Sequence, residues 1–470
     1  MKMQDYLITI FYYYNFIVLI YFIVINMVYL LLNFLSFFEI RKYVRRNRVT
    51  NPEIMFRSNF YLPVSLIVPA FNEAGVIVEN IKSILQLRYP EFEVVVVNDG
   101  SLDGTLESIK LAYKMTEVSF EAGGNIQTKP IKNIYISTIY KNLILIDKEN
   151  GGKADALNAG INYSKYTLFC GLDADSILEN DSLLKIARPF VEDPDIIAVG
   201  GIVRVINGCT IKNGEVIDIA LPGSALARFQ IVEYLRAFLF GRTGWSVLNA
   251  MLIISGAFGL FRKKEVLAAG GYRADTVGED MELIVRLHNR FGPSGRSKIR
   301  FIPDPVCYTE VPENLSVLAR QRNRWQRGLV DSLLMNINML LNPRYGAVGL
   351  FAMPFFFFFE MLGPIVEFTG YFVFLFLLCV NAVSYEIALL FFTAAFVLGM
   401  VLSLSSIVLE ELSFKKYPGV RNVVILSIYA VLENFGYRQL STYFRFKGLM
   451  EYFLGNKKWG EMKRSGFKKN

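Results

Sequence analysis

Apolar and polar positions divide the chain into stretches of different period. No charged residue occurs from Tyr6 to Phe38, and about 20 apolar residues suffice to cross a bilayer core, so this stretch predicts one long, tilted span. A cleaved signal peptide has an apolar region of roughly 7 to 15 residues that ends in small side chains. Here the run is longer and ends in Phe37, Phe38 and Glu39, which favours a retained anchor. From residue 63 the period changes. PVSLIVPAFNE, EFEVVVVNDGS, LILIDKE and YTLFCGLDADS are short runs rich in β-branched residues, separated by helical patterns that reach Leu87, begin at Asp103 and fill ADALNAGINYS. That alternation predicts a parallel α/β sheet. Ser119 to Asn142, with Gly123, Gly124 and Pro130, reads as an inserted loop, and a further helix is expected to start near Leu178.

The last third is again apolar. Tyr345 to Phe359 contains Pro354 and precedes Gly363-Pro364, the pattern of an interfacial or broken helix. The five phenylalanines from Phe355 to Phe359 read as membrane-facing. Phe368 to Tyr385 and Ile387 to Leu409 are long enough to pair as two spans, and Asn422 to Leu432, interrupted by Glu433, Gly436 and Arg438, predicts a re-entrant or interfacial element. The expected partition is therefore an anchor and basic flank (1–50), a cytoplasmic domain (51–330) and a region of interfacial and transmembrane helices (331–470).

Composition agrees with a soluble domain joined to membrane segments: 53% of the 470 residues are hydrophobic, and the mean hydropathy is +0.35. Arg41, Lys42, Arg45, Arg46 and Arg48 follow the first span, Lys415, Lys416 and Arg421 follow the hairpin, and Lys457, Lys458, Lys463, Arg464, Lys468 and Lys469 close the chain. Such flanks tend to remain cytoplasmic, which places the central domain there in a multi-pass protein of the cell membrane. The excess of 50 basic over 42 acidic residues gathers at these flanks. It points to membrane lipids as partners and away from nucleic acid. Four cysteines without CxxC spacing indicate reduced thiols. His288, the only histidine, fits a packed helix position.

Several polar groups carry chemistry. Ligands bind outside the carboxyl ends of strands in open α/β sheets, so Asn72, Glu73, Asn98, Asp99 and Gly100 are expected to face one crevice. Gly151 and Gly152 precede a helix with Lys153 beside them, an arrangement suited to an anion and also common in ordinary turns. Asp173 and Asp175 end a strand, where residues i and i+2 share a side and can converge on magnesium or manganese. As a lone pair they would equally cap the helix near Leu178. Glu279 and Asp280 open a helix, where the macrodipole favours carboxylates, and Asp280 is also a candidate general base. The pentad Gln321-Arg322-Asn323-Arg324-Trp325 combines fixed cations for phosphate oxygens with an indole for a sugar face. The ordinary alternative is a basic aromatic belt at the membrane interface.

VPAFNE, VVVNDGS, GGKADALN, DAD, GED and QRNRW, in this order over roughly residues 63 to 330, resemble a family 2 glycosyltransferase, and more narrowly the processive membrane synthases of cellulose, hyaluronan, chitin and poly-N-acetylglucosamine. The resemblance implies a GT-A fold with flanking transmembrane helices and inverting transfer from a UDP-sugar, UDP-N-acetylglucosamine ahead of UDP-glucose. It also implies Mg2+ or Mn2+, a growing glycan or lipid-linked acceptor, and a possible accessory or export subunit. On it, Ala70, Asn72, Glu73 and Asp99 contact uridine, Lys153 and Asp173 contact the nucleotide, and Asp175 binds the metal with Asp173. Asp280 is the base with Glu279 beside it. Gln321, Arg322, Arg324 and Trp325 serve the diphosphate and acceptor, and Ser255 and Gly256 line the acceptor site. Transfer of one sugar to a lipid and a catalytically silent nucleotide-binding scaffold are the alternatives. No C-terminal domain for cyclic di-GMP is expected. The RxxxR spacing at 41 to 45 is better read as basic flank.

Overall fold

The computed structural model describes residues 3–49, 61–119, 121–212, 214–295 and 297–455. The basic tail and residues 51–60 of the expected cytoplasmic domain lie outside the described residues. Helix α1, Met3–Val49, runs 47 residues without a break. The domain that follows is built on a ten-stranded sheet in the order β3-β4-β5-β2-β1-β6-β11-β8-β12-β7. Its centre is β1 (Val64–Ala70), β2 (Phe92–Asp99), β5 (Leu143–Lys148) and β6 (Leu168–Leu172), all parallel and buried on both faces, which is why they read as continuous apolar runs. Away from this centre the all-parallel expectation fails. β11 (Phe258–Arg262) lies antiparallel between β6 and β8 (Ile196–Val205), whereas β12 (Lys298–Thr309) runs parallel to β8 and ends beside the two-residue β7 (Ile177–Leu178). The expected inserted loop, Ser119 to Asn142, contains a strand, β4 (Ile131–Ser137), which pairs with β3 (Met115–Val118) just before the loop. The two are antiparallel at the edge of the sheet, and IKNIYIS needs only one buried face there. β9 (Thr210–Lys212) and β10 (Glu215–Asp218) make a separate hairpin.

Helices α2 (Ile77–Leu85), α3 (Thr105–Tyr113), α4 (Lys153–Tyr163) and α5 (Ser182–Glu192) connect the strands. Because β1 lies between β2 and β6 while the chain visits β2 and β5 first, the winding direction reverses between β1 and β6, and a crevice opens at their carboxyl ends. β6 pairs with β1 only as far as Ile67, so Pro69, which has no N–H to donate, stands where that ladder has ended.

After β8 the chain forms α6 (Ala225–Leu235), a π-helical turn over Arg236–Arg242 and α7 (Thr243–Val247). Helices α8 (Lys263–Ala268), α9 (Glu279–Phe291) and α10 (Leu315–Met335) complete the domain. The broken helix expected around Pro354 is present: α11, Val348–Met361, mixes π and α turns and meets α12, Gly363–Cys379, at a 44° bend. The expected span from Phe368 to Tyr385 thus starts earlier and stops at Cys379. Its partner, α13, covers Tyr385–Ser413. Among the described residues, α1 and α13 are long and apolar enough to cross a membrane, and the bent pair makes a third if taken as one span. The short apolar α14 (Val420–Leu432) breaks at Glu433–Gly436 before α15 (Tyr437–Phe453). The phenylalanine run faces inward more than expected. Phe355 packs 5.5 Å from Tyr29 and 5.4 Å from Trp245, Phe359 stacks 5.3 Å from Tyr21, and only Phe358 of the five is exposed.

Helices α9 and α10 approach each other backbone to backbone. A Cβ on Gly278, just before α9, would lie 2.6 Å from the Cα of Gly328 on α10, and a Cβ on Gly328 would lie 2.7 Å from the Cα of Gly278. Neither neighbour is a flexible side chain, so no rotamer relieves the clash. Gly328→Ala is expected to destabilise the fold by about 1–3 kcal/mol through overpacking, read as a lowered melting temperature in detergent. Gly223→Ala, where an added Cβ meets nothing within 4 Å, is expected to leave it unchanged.

Candidate active site

The loops after β1 and β2 brace each other at one side of the crevice. Asn72 has a left-handed backbone (φ 57°), accepts from Leu102 N at 2.8 Å through its Oδ1, and donates its own N–H to Ser101 Oγ at 3.0 Å. Glu73 N donates to Thr105 Oγ1 at 2.8 Å, and Ala70 ends β1 in the core. Asp99, at the end of β2, is buried. Its carboxylate accepts from Lys148 Nζ at 2.6 Å, Gly151 N at 3.0 Å and Gly152 N at 2.7 Å. The exposed amides expected at the Gly151-Gly152 turn to meet a ligand anion therefore bind the protein's own carboxylate. Lys148 is 0% exposed and also sits 2.6 Å from Asp155 Oδ1, so one buried cation ties β2, β5 and α4 together.

Lys153 is the cation that faces the crevice. Its Nζ lies 2.6 Å from Asp173 Oδ1 and 3.6 Å from Glu279 Oε1. Burial opposes its charge, but Asp173 and Glu279 outweigh burial and hold it above the ordinary lysine value. For Glu279 burial is the leading cause and raises its carboxyl above the usual range, Lys153 opposing and Asp280 reinforcing the shift. Asp280 accepts from Gly256 N at 3.1 Å and Met281 N at 2.8 Å. A Cβ on Gly256 would lie 3.0 Å from Lys153 Nζ and 3.4 Å from Asp280 Oδ2, so the glycine lets these groups meet. Ser255 adjoins it, its Oγ accepting from Ala257 N at 3.4 Å. Asp173, Glu279, Asp280, Lys153 and Gly256 are thus one cluster drawn from β6, α4, the segment before β11, and α9.

Asp175 is buried two residues beyond Asp173. The helix-cap alternative for these two carboxylates fails, because Leu178 belongs to β7 and the next helix starts at Ser182. No group of three or more metal-ligating side chains occurs among the described residues. Two carboxylates at one strand end nevertheless suit a hard divalent cation that takes its remaining oxygens from a diphosphate and water.

The pentad lies on α10, where Gln321 and Trp325 are one turn apart. Trp325 is 42% exposed, and Gln321 is nearly buried. Arg322, grouped by sequence with the diphosphate-facing cations, is 3% exposed. Its Nη2 donates to Glu233 Oε2 at 2.8 Å, and its guanidinium lies 4.3 Å from the Trp325 ring centre. That is a support for the indole from below. Tyr437 on α15 donates to the same Glu233 oxygen at 2.7 Å. Arg324 lies near enough to Glu279 for its charge to oppose the upward shift of that carboxyl. Next along α10, Gln326 accepts from Arg445 Nε at 2.9 Å and donates to Met361 O at 2.9 Å.

Sequence reasoning missed Glu233 and Arg242. Arg242 closes the π turn with its guanidinium 3.8 Å from the Phe238 ring centre, and burial lowers it to about 10 against the pull of Asp280. The available signal was four charges, Arg228, Glu233, Arg236 and Arg242, within the largely apolar RFQIVEYLRAFLFGR.

Residues 65–263 match the model described as Glycosyl transferase family 2, and residues 169–402 match Glycosyl transferase family group 2. Poly-beta-1,6-N-acetyl-D-glucosamine synthase of Staphylococcus aureus (strain MSSA476) is 31% identical over 274 residues, covering 58% of this chain and 55% of the relative. The protein of the same name from Staphylococcus epidermidis is 29% identical over 272 residues, with 58% and 55% covered. The alignments thus span about half the length of these curated relatives. Among solved structures, mannosyltransferase PcManGT from Pyrobaculum calidifontis, in complex with GDP-Man and Mn2+, superposes with a TM-score of 0.53 at 17% identity, covering 94% of this chain and 100% of that one. This likeness identifies the GT-A type of fold. The ordered motifs, the crevice at the β1/β6 reversal and the two overlapping family matches agree, and the chain belongs to the family 2 glycosyltransferases.

Proposed function

We propose that this chain is a membrane-embedded, inverting glycosyltransferase that takes N-acetylglucosamine from its UDP-sugar, elongates a β-linked polysaccharide and passes it into or across the membrane. The observation that carries the reading is the cluster of Lys153, Asp173, Glu279, Asp280 and Gly256. The 31% identity to poly-N-acetylglucosamine synthases supports the choice of sugar, and the basic flanks support a cytoplasmic catalytic domain in a multi-pass protein.

In this mechanism the nucleotide lies over the loops of Ala70, Asn72, Glu73 and Asp99, and Lys153 turns from Asp173 to a diphosphate oxygen. Asp173 and Asp175 would hold Mg2+ or Mn2+, which when bound neutralises charge on the departing diphosphate. Arg324 stabilises the same charge, while Gln321 and the Trp325 face hold the acceptor end. Asp280, oriented by two backbone N–H groups, takes the proton of the acceptor hydroxyl as its oxygen bonds to the anomeric carbon. The carbon–oxygen bond to the diphosphate breaks, and its electron pair leaves with UDP. A single displacement of this kind inverts the anomeric centre, and no second carboxylate nucleophile is required.

UDP release in lipid nanodiscs, with Mg2+ or Mn2+ and a panel of UDP-sugars, tests the assignment. Release with UDP-N-acetylglucosamine alone, accompanied by a long glycan, is the expected result. Release with only a single sugar on lipid, or none while UDP still binds, defeats the polymerase reading. Asp280→Asn is expected to lower kcat by about 10²–10⁴-fold without weakening UDP binding measured by calorimetry. Trp325→Ala is expected to cost about 1 kcal/mol of acceptor stacking, roughly a fivefold rise in acceptor KM, and Trp325→Phe is expected to recover most of it.

A further inference from the structure

Away from the donor crevice, a cavity of about 630 Å³ opens between the end of α1, α5 and β12. Its position along α1 is informative. Leu31, Phe34 and Phe38 are 54%, 61% and 55% exposed and form an outward stripe, with the Phe34 and Phe38 rings 4.8 Å apart. One turn beyond Phe38 on the same side comes Lys42, which lines the cavity. The uncharged run of α1 also ends at Phe38. The cavity mouth therefore sits where a lipid-facing stripe gives way to polar surface, the level of phospholipid headgroups in a bilayer.

The charges inside are unequally matched. Glu192 is occupied by Arg46 and by Arg188 Nε at 2.7 Å, Asp304 accepts from Lys185 Nζ at 3.2 Å, and Asp193 from Lys298 at 2.8 Å. Two lining cations form no ion pair among the described residues. Lys42 makes none, and Arg300 makes one hydrogen bond, from Nη1 to Ser246 O at 2.7 Å, its charge reaching Asp193 only at longer range. Glu39 at the cavity edge is exposed and sets an acidic limit on one side.

We propose that this cavity binds the headgroup of an anionic phospholipid, with its phosphodiester between Lys42 and Arg300 and its acyl chains along Leu31, Phe34 and Phe38. The site uses a different face of the domain from the transfer chemistry and does not rest on that reading. The aromatic stripe is what favours a lipid over a soluble phosphate, since a free anion has no use for it.

Native mass spectrometry of the full chain, stripped of lipid and titrated with palmitoyl-oleoyl-phosphatidylglycerol, tests this. One lipid retained per chain, in preference to the phosphatidylcholine of the same chains, is the expected result. Lys42→Glu, a charge reversal, is expected to weaken retention at least about tenfold and, separately, Arg300→Gln about fivefold, while Lys415→Glu, a reversal of an exposed charge at another membrane flank, leaves it intact. The proposal is overturned if Lys42→Glu retains phosphatidylglycerol as well as the unaltered chain, or if phosphatidylcholine binds equally. It is also overturned if glycerol 3-phosphate without acyl chains binds as tightly, which would assign the cavity to a soluble anion.

Discussion

The contact on which the arrangement depends is the one between Gly278 and Gly328, where no side chain intervenes. It fixes the start of α9, and with it Glu279 and Asp280, against the helix that carries Gln321, Arg324 and Trp325. Any added atom there would separate the acidic cluster from the pentad. A second close contact locks the far side of the same helix: a Cβ on Gly448 of α15 would lie 2.8 Å from Asn323 O. Helix α10 is thus held between the start of α9 and the terminal helix by glycines on both sides, and its exposed indole inherits that rigidity.

Charged pairs do the remaining alignment. Arg204 on β8 meets Glu410 on α13 at 2.8 Å, Lys416 meets Glu179 at 2.5 Å, and Arg445 on α15 meets Glu360 at 2.9 Å, while Arg236 is paired with Glu433. Burying such pairs recovers little net stability, because desolvation offsets most of the attraction. Removing one partner leaves the other charge stranded, however, so each pair discriminates strongly against a shifted packing. Glu233 shows the functional side of this. By accepting from both Arg322 and Tyr437 it holds a guanidinium beneath Trp325, and the orientation of that indole is set from two helices at once.

Much of this was legible in the chain. Buried parallel strands advertise themselves as unbroken β-branched runs, and each ends in the polar residues that line the crevice, so Asn72, Asp99 and Asp173 were placed at strand ends from pattern alone. The failures share a cause: sequence reports which groups are able to interact, and three-dimensional neighbours decide which do. Gly151 and Gly152 present amides to an anion as expected, but the anion is Asp99. Arg322 and Arg324 look equivalent in QRNRW, yet Arg322 is buried and fixed beneath the indole by Glu233, while the charge of Arg324 acts on Glu279. Edge strands β3 and β4 were obscured because they are short and only partly buried, and Glu233 and Arg242 because their partners lie far away in sequence.

Helix α1 carries a further implication. At 1.5 Å per residue its 47 residues make a rod of about 70 Å, continuous from the apolar run to Arg46, which grips Glu192 of the catalytic domain. A rod without a hinge transmits angle. A change in bilayer thickness alters the tilt of its apolar part, and the same rotation must appear at the end attached to α5, as a displacement that grows with distance along the rod. The membrane then acts on the domain as a mechanical load, and the attitude of the crevice relative to the bilayer becomes a function of the lipid in which the chain resides.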